Sequence, residues 1–337
     1  MGSSEVNVLR YLCSRTQVDL DSLDLEAAQN GGPDGPWHDA TSNPAEVFFQ
    51  IHDPKNASIV EEAIAVSQKI HDVFPEVTIS ELKVEVATVL LAVRVIPFIK
   101  GAVHVMANPS YAFSTAKVVA TGHRYHRLFR LVSPQIDVSR VVMKVAATFE
   151  GLQACRELST HGIKTLATTV FTMEQAILAA EAGCTSISPF VHELKAGFDS
   201  TYKDSNPLVD LCVKAQQYYQ QHGHTTRVKA CSCMSIDEIL QLSGVAAHTL
   251  PPEDLEKLAA MHESEAQLEA RSLFKDEALA TSTQQPRTYI EDEAKYRLEF
   301  AATDGGDGQF KLFQAISIFA DFQTKAELKM SGVDIAA

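Results

Sequence analysis

The stretch "SRVVMKVAATFEG", residues 139–151, sets one lysine, Lys144, inside an apolar run with the residue types of a buried strand. Desolvation disfavours the charged form of an amine. A neutral amine is a nucleophile that condenses with a ketone or aldehyde to a Schiff base, after which the neighbouring carbon–carbon bond can break through an enamine. The same chemistry needs an acid/base that moves protons without clamping the lysine in an ion pair, and Asp21 and Glu85 are the carboxylates on offer, acting through an intervening water. Each residue also has an ordinary reading. A lone lysine in an apolar strand is more often snorkelling or ion-paired, Asp21 lies in the acidic stretch "DLDSLD", and Glu85 in "KVEV" fits the outward side of an alternating strand.

The elements that must position these residues follow from periodicity. Short β-rich runs fall at 16–20, 36–40, 81–86, 140–146, 164–171, 185–191, 227–232 and 245–250, with helical patterns between them. Several of those patterns close on glycine, as in "STHG", "AEAG" and "QQHG". Eight strands alternating with helices predict a single α/β domain over residues 1–337, a (β/α)8 TIM barrel with extra C-terminal helices; a doubly wound open sheet is the lesser option. In such a barrel the working face is the carboxyl end of the strands. Asp21, Asn43, Glu85, Lys144, Thr168, Ser188 and Ser232 all fall at or near such ends.

Composition removes other classes. With 29 Lys plus Arg against 43 Asp plus Glu, the net charge of −14 repels phosphate backbones and anionic membranes, so no nucleic-acid or membrane partner is expected. The most apolar stretch, residues 86–106, contains Arg94, Pro97, Lys100 and Gly101 and is a poor bilayer segment. Six cysteines lack a disulfide spacing and the N-terminus lacks a signal-peptide pattern, which predicts a reduced, cytoplasmic setting. "CSC" at 231–233, "HGH" at 222–224 and "DGGDG" at 304–308 lack the partners or context of a metal or phosphate site, so neither metal nor cofactor is expected.

The long block from "MKVAATFEG" to "SISPFV", together with "HDATSNP" and "VKACSCMSIDEI", resembles the central part of transaldolases. The resemblance implies a metal-free, class I Schiff-base enzyme of carbohydrate metabolism with a small-molecule carbonyl or sugar substrate; a homodimer is a possible assembly. Position by position, Lys144 resembles the family's Schiff-base lysine, Asp21 and Glu85 its two acid/base carboxylates, and Thr168 the threonine that holds a catalytic water. Thr41 and Asn43 in "TSNP", Ser188, Ser232 and Phe190 match substrate-side positions.

Three positions depart from the family: Glu193 and Met234 stand where it carries phosphate-gripping arginines, and Leu166 where it carries an active-site asparagine. The chain between Glu85 and Lys144 also looks longer than in the family, so residues 87–111 are expected as an insertion that roofs the site. Intact chemistry with an altered substrate end predicts a transaldolase-like enzyme acting on a carbonyl compound that need not be phosphorylated. The alternatives are an ordinary pentose-phosphate transaldolase, with Lys195 or Lys229 holding phosphate, and a non-catalytic barrel scaffold.

Overall fold

Val141–Ala146 is the strand that carries Lys144, and its alternation fixes the rest: Val141, Met143 and Val145 face the surrounding helices, while Val142, Lys144 and Ala146 face inward. The computed structural model of the chain describes residues 5–274 and 286–333. Its barrel strands are β1 (Gln17–Leu20), β2 (Ala40–Thr41), β3 (Val103–Met106), β4 (Val141–Ala146), β5 (Lys164–Val170), β6 (Ser186–Pro189), β7 (Arg227–Ala230) and β8 (Ala247–Leu250). Each pairs in parallel with the next, and β8 pairs with β1 from Gln17↔Ala247 to Leu20↔Leu250, which closes the ring. The fold is thus the (β/α)8 barrel. An additional ribbon pairs Glu5–Asn7 with His262–Ser264.

Local signals behave as their chemistry requires. The three helix-ending glycines, Gly162, Gly183 and Gly223, adopt positive φ. After β4, Thr148 caps the helix Phe149–Thr160, and Gly151 lets that helix approach closely, since a Cβ there would lie 2.4 Å from the Ala146 carbonyl oxygen. The end of the Lys144 strand is therefore held by a tight turn.

The predicted strand at 81–86 is instead part of the helix Ile79–Val95. "ELKVEV" suits a period of two, but Thr78 caps the segment by accepting from the Glu81 N–H, and no Gly or Pro interrupts it before Val95. The helix is buried on most sides, packed by the helices Ala57–Ile70, Thr115–Val132 and Asp307–Met330. The third barrel strand is Val103–Met106. Residues 87–111 are consequently not an insertion over the mouth: they form the rest of that helix, the 3-10 turn Ile96–Phe98, β3, and the turn Pro109–Tyr111.

A roof comes from elsewhere. The last helix, Asp307–Met330, packs on the helix Pro44–His52 and on the turns Pro109–Tyr111 and Leu194–Gly197, which follow the carboxyl ends of β3 and β6. The polar segment before that helix also contains a helix, Glu293–Ala302. Among the described residues no helix is long and apolar enough to cross a membrane.

Candidate active site

Register aligns one inward-facing row across four strands: Met106, Lys144, Leu166 and Ser186 are successive partners. Lys144 is 6% exposed, and its Nζ makes no hydrogen bond or ion pair with any described residue. Met106 and Leu166 flank it, both buried. The lysine thus neither snorkels to the surface nor is clamped by a described residue.

Around it, Asp21 follows β1 and accepts a hydrogen bond from Thr41 Oγ1 at 2.5 Å. Thr168, one inward step above Leu166 and paired with Ala146, is fully buried with its Oγ1 unpartnered among the described residues. Such an orphaned hydroxyl needs a water or a ligand atom. Ser188 is buried next to Cys231, whose thiol is pushed up to about 12 by burial, with Lys144 pulling it down and Asp21 pushing it up. That thiol is a protonated wall residue that feels the charges of both Lys144 and Asp21. Phe190 bridges to Cys231 and meets Phe171 edge-on at 5.7 Å between ring centroids. Two non-glycine residues here, Thr169 and Ser232, hold φ of +57°, a conformation that costs on the order of 1 kcal/mol or more and clusters at functional sites.

Below this layer lies a charged floor. Lys229 on β7 reaches across the interior to Asp19 Oδ2 at 2.5 Å and Asp39 Oδ2 at 2.6 Å, and His104 Nε2 meets Asp39 Oδ2 at 3.0 Å. Each member sits two residues before a residue of the layer above: Asp19 before Asp21, Asp39 before Thr41, His104 before Met106, Lys229 before Cys231. Burial opposes the charge on Lys229, yet the two carboxylates outweigh it and hold its pKa above the ordinary value. Asp39 is likewise held well below the usual carboxylate range, because hydrogen bonds from His104 and His38 and the Lys229 charge overcome burial. Among the described residues the grouping able to ligate a metal is Asp19, His38 and Asp39, and Lys229 already sits between its two carboxylates. The alternative use of Lys229 as a phosphate grip is therefore corrected: the ammonium is engaged inside the barrel.

Glu85 is the main correction to the sequence-derived site. It lies on the helix Ile79–Val95, and its carboxylate accepts from Arg124 Nε at 2.6 Å and Nη2 at 2.7 Å. Burial pushes Glu85 up to about 7 against the pull of Arg124. The strand position beside Lys144, where the third-strand carboxylate was expected, holds Met106 instead. Glu85→Gln should leave chemistry at Lys144 unchanged within about twofold while lowering unfolding free energy by about 1–3 kcal/mol, as a weakened buried hydrogen-bond pair does. Paired denaturant and activity measurements check it, and a variant that unfolds normally but has lost activity would restore Glu85 to the site.

The mouth bears the predicted departures. Glu193 is 5% exposed and accepts from Tyr202 Oη at 2.5 Å and Gln314 Nε2 at 2.7 Å, the latter from the C-terminal helix. Met234 is 52% exposed. Both line a cleft of about 160 Å3 with Asp21, His192, Ser232 and Thr249, and no Lys or Arg among the described residues lines it. Asn43 uses its Oδ1 to cap the helix Pro44–His52, accepting from Ala45 and Glu46 N–H, so only its amide nitrogen is left for a ligand. Lys195 is half-exposed, with its ammonium over the Tyr202 ring at 4.5 Å.

Behind the cleft, burial drives His248 down to about 4. The unfolded chain therefore takes up a proton near pH 6.5 that the folded chain refuses until about pH 4, and stability present above 6.5 is lost as pH falls between these values, by roughly 3 kcal/mol. Melting series from pH 7.5 to 4 should show this decline in the native protein and a shallower one in His248→Gln; equal slopes would refute the assignment.

Sequence reasoning missed Met106, Ser186, Thr249 and the Asp19–Lys229–Asp39–His104 floor. Inward polar residues within strands were the available signal for all but Met106. A closed parallel ring with polar strand ends gathered around a buried lysine defines a (β/α)8 enzyme scaffold. The sequence matches the family described as Transaldolase/Fructose-6-phosphate aldolase over residues 18–302. It is 32% identical over 333 residues to the transaldolases of Shewanella sp. (strain W3-18-1) and Shewanella putrefaciens, spanning 96% of this chain and 98% of theirs. The Shewanella oneidensis transaldolase is 30% identical over 329 residues with the same coverage. The chain belongs to the transaldolase/fructose-6-phosphate aldolase family and is an enzyme of transaldolase/aldolase type.

Proposed function

We propose that the protein makes or breaks a carbon–carbon bond through a Schiff base on Lys144, acting on a carbonyl compound that need not be phosphorylated. The observation that carries the first part is a buried Nζ with no ionic partner among the described residues, beside Asp21 and an unpartnered Thr168 hydroxyl. Deprotonated Nζ adds to the carbonyl carbon, the C–N bond forms, and the former carbonyl oxygen leaves as water after gaining protons, giving an iminium ion. Thr168 suits the holding of that water. In the cleavage direction Asp21 takes the proton of the hydroxyl beyond the scissile bond; the bond's electron pair flows to the iminium nitrogen as the enamine forms. An acceptor aldehyde reverses the step, and hydrolysis frees the lysine.

The second part rests on the mouth. A phosphate calls for a forked or permanent cation, whereas the cleft beside Asp21 offers Glu193 and Met234, and Lys229 is held by two carboxylates. Borohydride added with a carbonyl donor should leave a reduced secondary amine on Lys144, mapped by peptide mass spectrometry. An adduct only on surface lysines would end the proposal.

A further inference from the structure

We propose that the carbonyl donor taken by this site is an alkyl or monohydroxylated ketone or aldehyde, not a polyhydroxylated one; this rests on the Schiff-base reading of Lys144. Once the carbonyl carbon is bonded to Nζ, its two substituents lie within two bonds of the amine and must meet whatever flanks it. The flanking residues of the same inward row are Met106 on β3 and Leu166 on β5. Both are buried, at 7% and 0% exposure, so water does not take the place of a missing partner. A thioether and an isobutyl group offer a hydroxyl no useful hydrogen bond. A hydroxyl forced against them is desolvated without compensation, which weakens binding roughly 10- to 100-fold.

The row's fourth residue supplies the exception. Ser186 is the register partner of Leu166, 1% exposed, and its Oγ has no partner among the described residues. A buried hydroxyl in that condition awaits one. Leu166 thus removes a polar contact next to the amine while Ser186 offers one on the next strand. Within this row the donor meets one hydroxyl partner, on Ser186, and none on the Met106 side.

Three ketones that differ only in hydroxyl count test this: acetone, hydroxyacetone and dihydroxyacetone, each trapped on the native enzyme with borohydride and each rate divided by its rate on free lysine. The expected order places hydroxyacetone first and dihydroxyacetone last, roughly 10- to 100-fold below it. Ser186→Ala should bring hydroxyacetone down to acetone's rate, and Leu166→Asn should raise dihydroxyacetone relative to acetone by a similar factor. Dihydroxyacetone trapped fastest by the native enzyme would overturn the proposal, and that comparison needs no variant to fold. Absence of any Lys144 adduct with all three ketones would instead overturn the Schiff-base reading, and this one with it.

Discussion

Lys144→Met should lower turnover on the order of 10⁴- to 10⁶-fold, as removal of a covalent nucleophile does, while leaving unfolding free energy unchanged or higher. The two halves of that expectation come from the same fact. Nζ is buried without a counter-ion among the described residues, so it gains no ion-pair stabilisation, and the proposed mechanism gives it a purely chemical role. Met is close to lysine in length and apolar, and it fits between Met106 and Leu166 without a buried nitrogen to desolvate. Steady-state assays with the donor identified by trapping, alongside urea unfolding, measure both. A fall in stability of about 3 kcal/mol or more would mean that Lys144 serves a structural ion pair, and the proposed mechanism would not survive it.

Lys229→Met has the opposite signature. Here the ammonium is the counter-ion of Asp19 and Asp39, and removing it leaves two carboxylates inside a closed barrel, one of them, Asp19, 0% exposed. Breaking a buried pair from one side costs about 3–5 kcal/mol, and a lysine shared by two acids belongs at the upper end. Set against a total of about 5–15 kcal/mol for a folded domain, this brings the protein close to unfolding. The sign of the pH dependence is specific. In the native protein Asp39 is held below its ordinary range, so its stabilisation is present above about pH 4 and lost on further acidification. In the variant the carboxylates lose the cation, protonation relieves them, and the gap between native and variant should narrow as pH falls from 7 toward 5. Adding Asp19→Asn to the variant should recover part of the loss. A gap under about 1 kcal/mol at pH 7 would contradict the buried pairing.

These two lysines lie on strands of similar local character, "VVMKVA" and "RVKA", and nothing in either stretch tells them apart. What separates them is which groups cross the barrel to meet them. That decides whether each is braced by carboxylates or left without an ionic partner among the described residues.

The same contrast runs through the whole site. Strand alternation around Lys144, the glycine helix ends, and the polar residues at strand termini were legible because they depend on a few neighbouring residues. Glu85 was misplaced because six residues of "ELKVEV" satisfy both periods, and the choice was made by helices that bury the segment on several sides and by Arg124, 39 residues away. Its relocation leaves Asp21 as the carboxylate that the proposed mechanism uses, and Met106 is the strand partner of Lys144.

Residue order alone shows that strands alternate with helices, that an apolar strand carries a lysine on its inward side, and that the arginines expected at the mouth are missing. Only the closed ring decided that Lys229 meets Asp19 and Asp39, 210 and 190 residues away, that Met106 and Leu166 flank Lys144, and that the C-terminal helix supplies part of the cover. Hydrophobic period is a property of adjacent residues along the chain. The partner of a buried charge is a property of the space that closure creates, where desolvation makes the presence or absence of a counter-ion worth several kcal/mol.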